Sequence, residues 1–344
     1  MSNQVRDVLQ AYDLGELISV RAAGGTASPK YAVETTRGKY LIRVRTTEFA
    51  DAALIHFDHE ILRRLHRAGL PVPVPLQRRD GATWLRLNDD CYEILSWLQG
   101  DPFLWENEKA LQGLGDFLGR FHEVLGADLP DGKEGWLRED HPKLLTTYPA
   151  ALEKIACLER QREALKQVDN QIDLIRQRLD AELYAALPHC VIHGDLHPGN
   201  VRFRDSEVAA LYDFDYLSVQ ARVRDVCDAL MFFAAGRSEP LRTDDIRSLT
   251  QPFVPDVERA MIFLHAYEQT RPLSDSEWAA LPLLMRSRWI QMRLRGSRKV
   301  PDAEKVRFVL DHFFEPIAWL DDQAEDYFVS VRQRISHAHR SGAM

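Results

Sequence analysis

Apolar residues alternate, or gather as β-branched and aromatic side chains, in three short runs near the start of the chain: LISVRAA from Leu17, KYAVETT from Lys30 and KYLIRVR from Lys39. Such runs fit strands, whose side chains point alternately to opposite faces. Gly24-Gly25 separates the first two runs and Arg37-Gly38 the next two, both turn signals. The period then changes. From Phe49 onward, Ala53, Ile55, Phe57, Ile61, Leu62 and Leu65 recur near helical spacing, and Gly69 ends the helix. The prolines of LPVPVP (70–75) exclude helix. TWLRLNDDCYEILSW then reads as two strands joined at Asn88-Asp89-Asp90. Residues 17–97 thus predict a small antiparallel sheet with one crossover helix.

After Gly100 the pattern is mainly helical. Leu111, Leu114, Leu118, Phe121 and Leu125 form one apolar stripe; Leu158, Leu165, Val168, Ile172, Ile175 and Leu179 form a second. The second is heptad-like but short, which favours packing on the protein's own body over a coiled-coil dimer. HCVIHGDLHPGNVRFRDSEVAALYDFDY (189–216) interrupts the helices and reads as strand, loop, strand, turn, strand; helix resumes from Val226. A chain of 344 residues exceeds one small core. The change in period divides it into an N-terminal β lobe, 1–97, and a helical C-terminal lobe, 98–344, an α+β organisation.

Composition narrows the function classes. The chain is 45% hydrophobic and 28% charged, an ordinary globular mix, with net charge −8 and so no basic footprint for nucleic acid. Cys91, Cys157, Cys190 and Cys227 form no C-x-x-C pair and fit four reduced thiols. The N-terminus has no basic start followed by an apolar run, and the greasiest segment, Ala229 to Ala235, is too short to span a bilayer. The expectation is a cytoplasmic protein without a membrane partner; the sequence does not specify its oligomeric state.

The chemistry concentrates in His193-Gly194-Asp195, then Asn200 five residues after Asp195, then Asp213-Phe214-Asp215, with Asp213 thirteen residues after Asn200. Phosphoryl transfer needs a carboxylate to orient a hydroxyl and accept its proton, and an amide oxygen and a second carboxylate to hold magnesium on the nucleotide phosphates. Asp195 and Asn200 can sit at two ends of one loop, and a hairpin can return Asp213 to the metal. This spacing follows the H-R-D-x-x-x-x-N and D-F-G motifs of kinases. A lone loop Asp is usually a turn residue or helix cap; three suitable residues between β-type flanks are harder to dismiss. His189, His193, Asp195 and His197 also permit a zinc hydrolase, a reading that leaves Asn200, Asp213 and the β lobe without a role.

H-G-D-L-H-P-G-N, then Y-D-F-D, then Arg224-Asp225, resembles the aminoglycoside phosphotransferase and choline kinase-like superfamily, with its homoserine kinase-like and CotS-like members, across about residues 20–300. The resemblance implies a protein-kinase-like two-lobed fold, ATP and Mg2+ as cofactors, Asp195 as catalytic base, and Asn200 and Asp213 as metal ligands. It implies that Asp225 braces the catalytic loop and that His193 packs beneath it. Gly25, Thr26 and Ser28 fall in the loop that would cover the phosphates. Arg43 stands where kinases usually carry Lys; it keeps the charge but not the shape. Arg45 is a second candidate on the same face, and Glu60 is the expected ion-pair partner of Arg43. Leu95 to Leu98, including Trp97, would form the hinge that binds adenine.

Gly113, Gly115 and Gly119 have the wrong spacing for a dinucleotide fingerprint, lie within a helical stripe, and read as close helix packing. His197 replaces the Lys that protein kinases often place two residues after the catalytic Asp, which tilts the expectation towards a small-molecule substrate. Residues 267–296 are similar to the acceptor-lining helices of homoserine kinase-like and CotS-like members, making Tyr267, Glu268, Arg288 and Trp289 substrate candidates. Arg288 and Arg286 would take a carboxylate, Glu268 and Asp215 an amine. The expected acceptor is a hydroxyl-bearing amino acid, amino alcohol or sugar. A Ser/Thr protein kinase and a non-catalytic nucleotide-binding regulatory module remain the alternatives.

Overall fold

The computed structural model describes residues 2–23, 29–126, 130, 133, 151–156 and 158–341. An amphipathic helix that the apolar pattern did not predict, α1 (Ser2–Gln10), precedes the sheet. Five antiparallel strands follow: β1 (Leu17–Ala22), β2 (Lys30–Thr35), β3 (Gly38–Arg45), β4 (Trp84–Leu87) and β5 (Asp90–Ser96), in the order β1-β2-β3-β5-β4. Leu87 pairs with Asp90. The β4–β5 turn is therefore only Asn88-Asp89, and Asn88 has φ 56°, which suits such a tight turn. Between β3 and β4 runs α2 (Ala52–Arg67), capped by Asp51, whose side chain accepts from the amide of Ala53. Gly69, at φ 80°, follows its end.

Val5, Val8, Leu9 and Tyr12, from α1 and its end, bury one face of the sheet against Val33, Ile42 and Ile94. Phe57, Ile61, Leu62 and Leu65 on α2 belong instead to the large core of the C-terminal part. The crossover helix thus anchors the sheet to the helices.

That part begins with α3 (Glu108–Val124), continues through α4 (Glu159–Arg178) and α5 (Ala181–Ala186), and is interrupted by four short strands. β6 (His189–Ile192) pairs with β9 (Ser218–Ala221), and β7 (Val201–Arg204) with β8 (Glu207–Leu211). The strand–loop–strand–turn–strand expectation for 189–216 matches β6, β7 and β8; β9 was not foreseen. Then come α6 (Val223–Ala229), α7 (Ile246–Leu249), α8 (Val257–Thr270), α9 (Asp275–Gly296), α10 (Asp302–Leu310), α11 (Phe314–Asp322) and α12 (Ala324–Ser341).

The α4 stripe is covered by the protein's own α9 and α10, leaving Leu165, Val168, Ile172 and Ile175 almost wholly buried. The α3 glycines are contact points. A Cβ on Gly115 would lie 2.3 Å from the carbonyl oxygen of Phe263 on α8, and one on Gly113 would lie 2.0 Å from that of Ser206. Among the described residues, no helix is long and apolar enough to cross a membrane. Of the four cysteines, Cys91, Cys190 and Cys227 are free and buried, while Cys157 lies outside the described residues.

Candidate active site

The sheet and the 189–216 segment face each other across a cleft of about 1230 Å³. On the sheet side one rung crosses three strands: Lys30 on β2 registers with Arg43 on β3, and Arg43 with Glu93 on β5. Alternation along each strand puts these side chains on one face. Arg43 Nε lies 2.7 Å from Glu93 Oε1, Nη1 lies 3.6 Å from Asp213 Oδ1, and Nη2 is bonded to Asp215. Arg45, two residues on, is buried between Glu93 (3.0 Å) and Asp58 on α2 (2.7 Å). His59 Nε2 contacts Glu93 at 2.7 Å, and Lys133 Nζ contacts Asp58 at 2.7 Å.

Glu60 does not join this cluster. It lies on the outer side of α2 and pairs with Arg63, Arg64 and Arg67 on its own helix. The expected Glu60–Arg43 pair is therefore replaced by a cross-strand pair with Glu93. A helix turns about 100° per residue, so Asp58 and His59 face the sheet while Glu60 has rotated away. Arg45 likewise serves the buried cluster. Gly25, Thr26 and Ser28 lie outside the described residues.

Opposite the sheet, the loop between β6 and β7 carries Asp195 and Asn200. Asp225, in the first turn of α6, accepts hydrogen bonds from the amides of His193 (2.7 Å) and Gly194 (2.8 Å). His122 on α3 supports it from behind, with Nε2 at 3.2 Å from Asp225 and Nδ1 at 2.9 Å from the Tyr267 hydroxyl. The Asp195 amide donates to His193 Nδ1, so Nε2–H of the same ring donates to the Tyr212 carbonyl. Both His193 nitrogens are thereby used within the protein, His189 Nδ1 bonds the Leu187 carbonyl, and Gly199 donates to His197 Nδ1. His193 therefore has no ring nitrogen left for a zinc, and among the described residues no group of three or more His, Cys, Asp or Glu side chains is gathered to hold a metal.

Asp195 Oδ1 accepts from Arg288 Nη2 at 3.2 Å, and His197 Nε2 lies 3.7 Å from Oδ2. Burial alone would raise the Asp195 pKa, but His197, Arg288 and Arg295 together hold it well below the ordinary carboxylate range. Burial pushes His197 itself down. Asn200 donates its side-chain NH2 to the Asp195 backbone carbonyl at 2.9 Å, and the Asn200 backbone carbonyl accepts from Tyr212 N–H at 2.8 Å. Asp213 sits at φ 66°, ψ 68°. Its Oδ2 lies 2.6 Å from Lys30 Nζ. Burial raises the Asp213 pKa, yet Lys30 and Arg43 win and keep it low. Asp215 is shifted the other way, by burial and by Asp213, against the pull of Arg43.

Arg43, Leu95, Trp97, Asp195, Asn200, Asp213, Asp215 and Arg288 all line the cleft, while His193 and Asp225 lie beneath its loop. At the hinge, the Tyr212 hydroxyl donates to the Leu98 carbonyl (2.7 Å) and accepts from its amide (2.9 Å), so the Leu98 backbone is already engaged.

Three substrate candidates fall outside the cleft. Tyr267 and Trp289 are 0% exposed, and Trp289 Nε1 donates to the Phe313 carbonyl in the core. Glu268 accepts from the Leu273 amide at 3.1 Å, within the turn between α8 and α9. Arg286 points instead to Gln171 and Asp321. Helical spacing cannot distinguish an acceptor wall from a core face, and here α9 is buried along most of its length. Arg288 reaches the cleft but spends its guanidinium on Asp228, Gln291 and Asp195. Asp228 went unnoticed in the sequence; its place one helical turn after Asp225 was the available signal. Lys30, His122 and Lys133 also went unnoticed, because strand register and long-range contacts reveal them.

A family model described as a phosphotransferase enzyme family matches residues 19–263. A homoserine kinase from a Bradyrhizobium strain is 27% identical over 319 residues, covering 89% of this chain and 88% of that one. A homoserine kinase from Rhodospirillum rubrum is 29% identical over 308 residues, covering 87% of each. Among solved structures, a microcompartment-associated aminopropanol kinase superposes with TM-score 0.67 at 16% identity, over 96% of this chain and all of that one. An amicoumacin kinase in complex with AMP-PNP, Ca2+ and Ami gives TM-score 0.61 at 17% identity, over 97% and 92%. The architecture is the two-lobed, protein-kinase-like α+β fold: a small antiparallel sheet over a mainly helical body.

Proposed function

We propose, from the premise that the chain belongs to the phosphotransferase enzyme family, that this small-molecule kinase moves the γ-phosphate of magnesium-ATP to the hydroxyl of a small amino acid. The observation that carries this reading is Asp195, ionised and oriented by Arg288, in one cleft with Asn200 and Asp213. Asp195 aligns the acceptor hydroxyl and takes its proton as the new O–P bond forms and ADP departs. Its low pKa makes positioning, not bulk basicity, its main contribution. Asp213 and Asn200 offer hard oxygen donors, and the Asp213 carboxylate already gathers two cationic side chains, Lys30 and Arg43. Such a donor set fits Mg2+. When bound there, the ion would neutralise and orient phosphate oxygens. Asp225 and His193 serve as supports that fix the loop backbone carrying Asp195.

The acceptor class follows from charge. Arg242, Arg295, Arg298 and Lys299 line the cleft, a setting that favours a carboxylate-bearing alcohol over a polycation. L-homoserine, named in several relatives, is the first acceptor to try. ADP release should be followed with magnesium-ATP and a panel of L-homoserine, aminopropanol, choline, an aminoglycoside and casein. The expected result is turnover led by the carboxylate-bearing alcohol. Preference for the aminoglycoside would reject the acceptor assignment. Phosphate on casein alone would favour a protein kinase, and ATP binding without turnover on any acceptor a regulatory module.

A further inference from the structure

Arg43 occupies the strand position from which a kinase cation normally reaches the phosphates, yet its environment argues against that duty. Its side chain is 4% exposed, and its guanidinium is divided among Glu93, Asp215 and Asp213. Turning it towards a ligand would strand buried carboxylates without compensation, which is strongly unfavourable. Its register partner is less buried and less divided. Lys30 is the first residue of β2, lines the cleft, and is 16% exposed. Its ion-pair partner among the described residues is Asp213, at 2.6 Å. The cluster's charge count points the same way. Asp58, Glu93, Asp213 and Asp215 supply four carboxylates; Arg43, Arg45 and Lys133 supply three cations held by buried contacts. Among the described residues Lys30 is the cluster's fourth cation, and with 16% of its side chain exposed it is the least buried of the four.

We propose that Lys30, rather than Arg43, is the side chain that engages the nucleotide's phosphates, and that it exchanges between them and Asp213. The inference rests on the nucleotide-binding reading above. A divalent ion on Asp213 competes with the Lys30 ammonium for the same carboxylate oxygen, so loading the ion turns the lysine towards the phosphates. A compact ammonium on a flexible four-carbon stem suits such an exchange, whereas a guanidinium fork suits the fixed multidentate role of Arg43. Arg43 then acts as a positioning residue that ties Asp213 and Asp215 to the sheet.

The test is calorimetric titration of wild type, Lys30→Gln and Lys30→Arg with ATP and with adenosine at saturating magnesium, alongside Mn2+ binding without nucleotide by electron paramagnetic resonance. Lys30→Gln should weaken ATP by about tenfold or more, the loss of one good charge contact, and leave adenosine within about twofold. Lys30→Arg should recover part of the ATP affinity. Mn2+ alone should bind Lys30→Gln more tightly than wild type, because a competitor for Asp213 is gone. Unchanged ATP affinity in Lys30→Gln, or equal losses for ATP and adenosine, would overturn the phosphate assignment. Mn2+ affinity that fails to rise would overturn the exchange. Failure of the wild-type chain to bind ATP would reject the nucleotide reading and this proposal together.

Discussion

Asp213 adopts a left-handed backbone conformation that costs a non-glycine residue about 1 kcal/mol or more. The cost is offset by a carboxylate aimed at Lys30 and Arg43. The same exchange of local cost for charge placement recurs at Glu93. Burial opposes its ionisation, but Arg45, Arg43 and His59 hold it charged, well below its ordinary pKa. Asp225 is held low in the same way, by His122, His193 and the Gly194 amide acting against burial. Carboxylates whose folded pKa is depressed stabilise the fold fully above their unfolded pKa and lose that contribution progressively as pH falls from there through the folded pKa. Asp215, shifted upward, works in the opposite sense, but Glu93, Asp195, Asp213 and Asp225 outnumber it. The thermal midpoint should therefore begin to fall below about pH 5 and still be falling at about pH 3. A flat midpoint across that interval, followed by circular dichroism, would contradict the charged state assigned to this cluster. At this scale Asp195, Asn200 and Asp213 were legible because their spacing along one loop and one hairpin is itself the signal. Glu93 was not legible as the partner of Arg43, because that pairing depends on which residues of two strands stand side by side.

Between elements, α3 packs closely against α8. Gly115 allows α3 to approach the Phe263 carbonyl, and an added Cβ would also lie 2.9 Å from the Ala266 Cβ. Alanine is the better helix former by about 1 kcal/mol, so an exposed glycine-to-alanine change would stabilise. At Gly115 the overlap should reverse the sign, with a net loss of about 1–3 kcal/mol as α3 and α8 are forced apart. Gly115→Ala should lower the midpoint of urea unfolding; a raised midpoint would show that the two helices separate at no cost. The displacement would also disturb the Tyr267–His122–Asp225 chain beneath the Asp195 loop. Periodicity revealed α2, α3 and α4, since each has a clean apolar stripe. The acceptor candidates on α9 came instead from the family resemblance, and its buried face includes Arg286, Arg288 and Arg293, each held by polar partners elsewhere in the chain. Periodicity gave no notice of α1, too short and too polar for its stripe to stand out, or of β9, a four-residue strand whose pairing with β6 supplies its stability.

Across the molecule, the cleft exists because α2 is shared. Its apolar side belongs to the helical core, while Asp58 and His59 join the charged face of the sheet. The sheet brings Lys30, Arg43 and Glu93 to one wall, and the β6–β9 segment brings Asp195, Asn200 and Asp213 to the other. The net charge of −8 gives no hint of the basic side chains gathered inside; only folding segregates them. The central claim is that this cleft transfers phosphate with Asp195 directing the acceptor hydroxyl. Its most direct test is the acceptor-dependent rate of ADP formation in wild type and Asp195→Asn, with melting temperature and ATP affinity measured on the same samples. The account predicts a fall in rate of at least about 100-fold, with a folded protein that still binds ATP. An Asp195→Asn protein that turns over at the wild-type rate would contradict it.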